Sequence, residues 1–278
     1  MSGELIVVHT GDNPLVDELF HNPAGVDHEY ERFDGSIFEQ RDSGGWHFGS
    51  GNPESWLYAN QLLVPDGTVL DIGMGNICRS SFFFATQGMH VQGIDINPTT
   101  ERTVDDIVSN LGEALNLDIT LRVADVMQEQ LGEGVFDIVL LDSVFNRFPS
   151  RAHALELIDK AYRAVKPGGH IWVRGVGKED SGYEELCNLA TWRHNVRAVD
   201  DDVILHPSGQ PGQADLVPAL FLDPTDLLHY FTLSGAHVVH SQVLSEVGQR
   251  NIMYGEDYLR DAPVETSGMV TILVQKPA

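Results

Sequence analysis

Val69-Leu-Asp-Ile-Gly-Met-Gly-Asn-Ile-Cys-Arg79 is the stretch that decides the fold of this chain. A run of β-forming residues ends at Ile72, glycines follow at positions 73 and 75, and a helical segment begins at Arg79. Glycine adopts backbone conformations that other residues avoid, so a ligand can approach such a loop closely. Ligands of open α/β sheets bind beyond the carboxyl ends of the strands, which predicts a binding site at Gly73 and Gly75.

Strand and helix signals alternate along residues 67–176. The predicted strands are 68–72, 91–95, 119–124, 136–141 and 170–174, and the predicted helices are 79–87, 97–115 and 150–165. This alternation is typical of right-handed βαβ units and a parallel sheet, and mostly apolar strands indicate a sheet that is covered on both faces. A further helix over 223–234 precedes two late strands, 238–244 and 270–274.

Carboxylates stand at successive strand ends. Asp95 ends the second strand, where an acid can accept hydrogen bonds from both hydroxyls of a ribose. Asp125 follows the third strand, where a carboxylate can accept a hydrogen bond from the exocyclic amine of adenine, and Asp142 ends the fourth strand. A single aspartate in such a place is usually a cap or turn residue. Together with Asp71, however, these acids follow the order that an adenosyl ligand requires.

These motifs resemble those of class I S-adenosylmethionine-dependent methyltransferases, in particular the small-molecule type. The match covers residues 67–176, and the hairpin-like end at 236–276 is similar to the reversed seventh strand of that family. The matching segments are 69–75 for motif I, Asp95 for the acid of the second strand, Ala124-Asp-Val126 for the adenine side, 136–142 for the fourth strand and Val165-Lys-Pro-Gly-Gly-His-Ile171 for the turn before the fifth strand. In one departure, Ile77 replaces a glycine that is common in motif I.

The resemblance implies an α/β fold with a seven-stranded, mostly parallel sheet, helices on both faces and an antiparallel last strand. It implies S-adenosylmethionine as the cofactor and a small-molecule methyl acceptor as the partner. The expected cofactor-binding residues are Asp71, Gly73 and Gly75 at the amino-acid end, Asp95 and Ile96 at the ribose, Asp125 and Val126 at the adenine, and Asp142 and Ser143 near the transferred methyl group.

The predicted domain division separates an N-terminal lid or cap, residues 1–66, from a methyltransferase domain, residues 67–278. The first segment contains a predicted helix over 53–63, and its Trp46 and Phe48 either close over the cofactor or cover the edge of the sheet. A substrate-side insertion is expected at about 177–235, where this family often builds its acceptor pocket.

No catalytic residue is predicted. Methyl transfer is an in-line displacement in which alignment supplies much of the acceleration, and a base is needed only if the acceptor keeps its proton. Histidine is the usual base, and the candidates that could reach the crevice are His47, His153, His194 and His229. Within the insertion, Trp192-Arg-His194 is the expected substrate-side contact.

Composition limits the partners. The net charge is −24, from 41 acids against 17 bases, and such a surface repels phosphate backbones, so a nucleic-acid substrate is disfavoured. Apolar runs are too short to span a bilayer, and no secretory signal is recognised at the N-terminus. The 2 cysteines, Cys78 and Cys187, lack metal-ligand spacing and are read as reduced thiols. We therefore expect a soluble cytoplasmic protein.

Three alternatives to a metal-independent methyltransferase are considered. Tyr162-Arg-Ala-Val-Lys166 has the Y-x-x-x-K spacing of short-chain nicotinamide oxidoreductases, although Pro167 breaks the helix directly after the lysine. A protein of the same fold could also bind S-adenosylmethionine for non-methyl chemistry, or without catalysis. A metal-dependent transfer would need an Asp-Asn pair after the fifth strand, which is missing, so no metal is predicted.

Overall fold

The computed structural model describes residues 6–8, 46–48, 53–75, 78–96, 117–145, 148–177, 197–198, 203–207, 216–220, 224–244 and 269–278. The chain divides into two compact units, residues 1–125 with 248–262 and residues 126–247 with 263–278. The described helices are α1 (Pro53–Ala59), α2 (Arg79–Thr86), α3 (Arg151–Ala164) and α4 (Pro224–Leu233). The described strands are β1 (Ile6–Val8), β2 (Trp46–Phe48), β3 (Thr68–Ile72), β4 (His90–Asp95), β5 (Ile119–Val123), β6 (Phe136–Asp142), β7 (Val165–Val176), β8 (Arg197–Ala198), β9 (Val203–Pro207), β10 (Leu216–Leu220), β11 (His237–Leu244) and β12 (Met269–Gln275).

In the first unit, β3, β4 and β5 form parallel pairs, with Leu70 opposite Gln92 and Gly93 opposite Leu121. The core of this unit is apolar: Val69 and Leu70 of β3 are fully buried, and so is the phenylalanine run 82–84 of α2. Burial of such a side chain contributes about 1.5–3 kcal/mol. Because α2 directly follows the glycine loop, its packing holds the end of that loop in place.

Helix α1 ends earlier than its sequence predicts. The prediction extended the helix to residue 63, whereas α1 ends at Ala59. Gln61 lies in the left-handed region with φ 57°, and the backbone N–H of Leu62 donates to the carbonyl of Leu57 at 2.9 Å. This bond across five residues is the Schellman type of helix end. The sequence did not reveal it, because a left-handed glutamine lacks the glycine that usually marks such an end.

In the second unit, β6 and β7 are parallel, while β12 runs antiparallel to both β7 and β11. Helix α3 buries a stripe of residues at helical spacing, namely Ala154, Leu157, Ile158, Ala161 and Ala164. Helix α4 buries Leu227 and Phe231. The hydroxyl of Tyr230 donates to Asp159 at 3.1 Å, and burial together with this carboxylate raises the pKa of Tyr230 to about 12.

The segment around Pro167-Gly-Gly differs from its predicted turn. Helix α3 ends at Ala164, and the following residues already belong to β7, which begins at Val165. Backbone hydrogen bonds explain this: Gly168 donates to Lys276 at 3.0 Å, and Lys276 donates to Gly169 at 2.9 Å. The partner of these bonds lies more than one hundred residues later in the chain, so local sequence does not reveal it.

Within the predicted insertion at 177–235, β8, β9 and β10 form a small antiparallel sheet in the order β10-β9-β8. These strands were not predicted, but the helix expected at the end of this region is confirmed as α4. The helix predicted over 97–115 lies outside the described residues, as does Ile77.

The main sheet has seven strands in the order β11-β12-β7-β6-β3-β4-β5. The predicted seven-stranded, mostly parallel sheet with an antiparallel last strand is therefore confirmed. The predicted boundary between a lid and a methyltransferase domain at residue 66 stays a prediction.

Candidate cofactor site

The glycine loop that follows β3 has the backbone conformation that its sequence predicts. Gly73 and Gly75 lie in the left-handed region with φ 77° and 68°. Gly73 donates its N–H to the carbonyl of Ile94 at 2.8 Å, and Gly75 donates to Oδ2 of Asp95 at 2.9 Å. A Cβ atom at Gly75 would meet nothing within 4 Å. The loop is thus fixed to the end of β4 and leaves open space beside Gly75, which a ligand can occupy.

Asp95 is half-buried at the end of β4, and Ile96 beside it is 68% exposed. The carbonyl of Asp95 accepts the N–H of Ala124 at 2.8 Å, which joins the end of β4 to the residue before Asp125. Asp125 itself is half-buried. In this unit, Asp95 is therefore attached to the glycine loop by its carboxylate and to the segment preceding Asp125 by its backbone.

Asp71 is 2% exposed and lies below the loop. Its Oδ2 accepts the hydroxyl proton of Ser81 at 2.7 Å. The neighbouring Ser80 donates to Oε1 of the buried Glu54 in α1 at 2.5 Å. Both serines lie in the first turn of α2, so two carboxylates hold the start of the helix that follows the loop. Sequence reasoning missed Ser81 and Glu54, because their partners are distant in the chain.

Gly93 in β4 lies close to side chains of the glycine loop, of α2 and of β5. A Cβ atom there would lie 2.6 Å from Cδ2 of Leu121, 2.6 Å from Sδ of Met74 and 2.9 Å from Oγ of Ser81. A side chain at this place in β4 would force these three side chains to move, a requirement that the local sequence pattern does not reveal.

Cys78 caps the start of α2 in the left-handed conformation, with φ 48° and ψ 36°. Its side chain is fully buried, and its Sγ donates to the carbonyl of Gly75 at 3.4 Å. Burial, together with the negative charges of Asp71 and Asp95, raises the pKa of this thiol. The thiol therefore stays protonated at neutral pH and packs as a small apolar group.

In the second unit, Asp142 ends β6 and Ser143 follows it in the left-handed region with φ 60°. Both carboxylate oxygens of Asp142 accept hydrogen bonds from the guanidinium of Arg174 in β7, the second at 2.7 Å from Nη2. The N–H of Ser143 donates to the carbonyl of Arg174 at 2.9 Å. Asp142 was predicted at this strand end, but its bidentate partner was not.

Val126, which was predicted beside the adenine, is almost completely buried in the second unit. Nζ of Lys160 in α3 donates to the carbonyls of Val126 and Met127 at 2.7 and 3.0 Å. This lysine fixes the backbone that follows β5, a contact that residue spacing does not reveal.

The candidate bases are only partly described. His153 is exposed on α3, where its Nδ1 lies 2.7 Å from Oγ of Ser150, and His229 is exposed on α4. The side chains of His47 and His194, like Trp192, lie outside the described residues. The described part of the chain holds no group of three His, Cys, Asp or Glu residues able to bind a metal ion, and no helix in it is long and apolar enough to cross a membrane.

The short-chain oxidoreductase alternative does not fit the observed geometry. Its tyrosine and lysine would occupy one helix, whereas Tyr162 lies in α3 and Lys166 lies in β7. The Tyr162 hydroxyl donates to the carbonyl of Ser234 at 3.2 Å, and Nζ of Lys166 donates to Asp137 at 2.8 Å.

Residues 70–173 match a family model described as a methyltransferase domain. This segment includes all the residues predicted to bind the cofactor. Together with the sheet order, the match indicates a methyltransferase domain of the α/β fold over this part of the chain.

Two curated relatives are similar to part of the chain. Phosphoethanolamine N-methyltransferase 2 of Caenorhabditis elegans is 27% identical over 121 residues, which cover 44% of this chain and 26% of the relative. Ribosomal protein L11 methyltransferase of Burkholderia mallei is 31% identical over 145 residues, which cover 50% of this chain and 43% of the relative. The chain therefore aligns with less than half the length of either relative.

Among solved structures, a methyltransferase described as S-adenosylmethionine-dependent, from Methanosarcina mazei, superposes with a TM-score of 0.59 at 19% identity. The superposition covers 79% of this chain and 97% of that chain. At this level of identity the likeness shows a shared fold.

Proposed function

We propose that the protein transfers a methyl group from S-adenosylmethionine to a small-molecule acceptor. The observation that carries this proposal is the bond from Gly75 to the Asp95 carboxylate, which couples the glycine loop to the acid at the end of β4. When bound, S-adenosylmethionine supplies a methyl group on a positively charged sulfur, and transfer to an acceptor leaves neutral S-adenosylhomocysteine.

The residues of this chain supply binding and alignment in the proposal. Asp71, through Ser81, holds the loop and α2 together, so that Gly73 and Gly75 present backbone to the amino-acid end of the cofactor. Asp95 and the exposed Ile96 hold the ribose, while Asp125 and Val126 flank the adenine. Asp142 and Ser143 lie near the transferred methyl group. Carboxylates accept hydrogen bonds from hydroxyl and amine groups, which are the groups that an adenosyl ligand offers.

A small-molecule acceptor is supported by the net charge of −24, which disfavours nucleic acid, and by the phosphoethanolamine named for one relative. The other relative is named for a ribosomal protein, so a protein acceptor is the competing outcome. In the same proposal, residues 1–66 form a lid, the insertion at about 177–235 contributes the acceptor pocket, and the protein acts in the cytoplasm.

The binding test is calorimetry with S-adenosylmethionine on the wild type and on Asp95→Ala. We expect the substitution to weaken binding roughly tenfold or more, because hydrogen bonds to a charged acceptor contribute about 1.5–3 kcal/mol. Asp118→Ala is the matched control, since Asp118 precedes β5 and pairs with His90 at 2.5 Å on an exposed surface. Equal binding by wild type and Asp95→Ala would refute the ribose assignment.

The activity test follows release of S-adenosylhomocysteine with phosphoethanolamine or with ribosomal protein L11 as the acceptor. Release with the small amine alone supports the proposal, and release with the protein alone replaces the acceptor class. Cofactor binding without any methylated product, across a broad panel of small nucleophiles, would favour the alternative of non-methyl chemistry or no catalysis.

A further inference from the structure

Arg174 binds the turn that follows β6 through both its side chain and its backbone. Its guanidinium donates to both oxygens of the Asp142 carboxylate, and its own carbonyl accepts the N–H of Ser143 at 2.9 Å. The side chains of Arg174 and Asp142 are 7% and 12% exposed. A bidentate pair with so little solvent access is strongly oriented, because the planar guanidinium matches the carboxylate in geometry.

The same two strands carry a second ion pair at their other end. Nζ of Lys166 in β7 lies 2.8 Å from Oδ2 of Asp137 in β6, and these side chains are 38% and 21% exposed. Asp142 lies five positions after Asp137 along β6, which corresponds to about 17 Å at the usual rise per residue. The Lys166–Asp137 pair lies on the same two strands but away from the carboxyl end of β6. Substitutions in this pair can therefore serve as controls for substitutions in the Arg174–Asp142 pair.

We propose that Arg174 is a positioning residue of the cofactor site, which orients the Asp142–Ser143 turn and cancels the charge of Asp142 where the sulfonium binds. This inference rests on the proposed function, because it takes the end of β6 to lie near the transferred methyl group. Arg174 touches Asp142 and acts through it.

The chemical reason lies in how charge changes during methyl transfer. The sulfur begins with a positive charge and ends neutral. A bare carboxylate beside it would stabilise the bound cofactor more than the transition state, and this raises the barrier. A carboxylate paired with arginine can hold the turn in position without raising the barrier to methyl transfer in this way.

The test compares affinity for positively charged S-adenosylmethionine with affinity for neutral S-adenosylhomocysteine, measured by calorimetry at about pH 8. Asp142→Asn removes the carboxylate charge at the end of β6, so the preference for the charged ligand should fall by roughly fivefold or more. Arg174→Met leaves the carboxylate uncancelled and should raise that preference by a similar factor, with a lower turnover rate. The double variant removes both charges and should return the preference to within about twofold of the wild type.

Lys166→Met and Asp137→Asn are the controls, because they change the same total charge at the other end of the strands. They should leave the preference unchanged. If Arg174→Met does not fold, Asp142→Asn still decides the question, since it replaces a carboxylate by a group of the same size. An unchanged ratio in folded Asp142→Asn, with both ligands bound, overturns the role of Arg174. Failure of the wild type to bind either ligand overturns the proposed function instead.

Discussion

Single residues determine whether the glycine loop after β3 can adopt its observed conformation. The backbone at position 75 is left-handed, which favours glycine. At position 93, a side chain would come too close to its neighbours. Ser81 donates to Asp71 from the helix that follows the loop. Gly75 therefore permits the backbone conformation of the loop, Gly93 leaves space for neighbouring side chains, and Ser81 connects α2 to β3 by a hydrogen bond.

Gly93→Ala should destabilise the protein by about 1–3 kcal/mol, because the new methyl group would overpack the space shared by Leu121, Met74 and Ser81. The measurement is urea unfolding followed by circular dichroism. Gln92→Ala is the control, since Gln92 is exposed on the same strand and should change stability by less than about 0.5 kcal/mol. Equal stability of Gly93→Ala and wild type would contradict this prediction, because it would show that the neighbouring side chains move aside without cost.

At the scale of elements, side chains satisfy backbone groups at both ends of α3. Ser150 caps α3, and its Oγ accepts the N–H of His153 at 3.4 Å. At the other end, Nζ of Lys276 donates to the carbonyls of Tyr162, Arg163 and Val165, the last at 2.7 Å. Polar groups thus satisfy both ends of α3, as the orphan backbone groups of a helix require.

Ser150→Ala should lower the free energy of unfolding by about 1 kcal/mol, because the first turn of α3 loses its side-chain acceptor. Ser150→Asp retains an acceptor and should keep most of the stability. Thermal unfolding of the wild type and both variants measures the difference. If alanine and aspartate behave alike, the observed cap contributes nothing measurable.

Charge acts on the whole molecule. With 41 acids and 17 bases, the folded chain concentrates a net charge of −24, and the resulting repulsion opposes compaction. The acids cited at strand ends are a small part of this total. The remainder bears on solubility and stability, and not on the identity of the reaction.

We expect the melting temperature to rise as sodium chloride increases from about 0.01 M to 0.5 M, because screening shortens the range of repulsion from about 30 Å to a few ångströms. Differential scanning calorimetry at constant pH measures it, and potassium chloride serves as the control for ion-specific effects. A melting temperature that falls or stays constant over this range would contradict a dominant role for repulsion.

The sequence by itself determined the parallel sheet, the glycine loop and the positions of Asp95 and Asp142 at strand ends. These features depend on local periodicity, turn residues and chain order, which are properties of neighbouring residues. Its resemblance to a known family also predicted the antiparallel last strand and S-adenosylmethionine as the cofactor.

Only the tertiary structure decided how those acids are used. It showed that Asp71 binds Ser81, that Asp142 is held by Arg174, and that Gly93 leaves room for three distant side chains. It also showed that β7 includes the segment around Pro167, whose glycines 168 and 169 form backbone hydrogen bonds with Lys276. Such contacts join residues far apart in sequence, and their geometry depends on packing that no local pattern encodes.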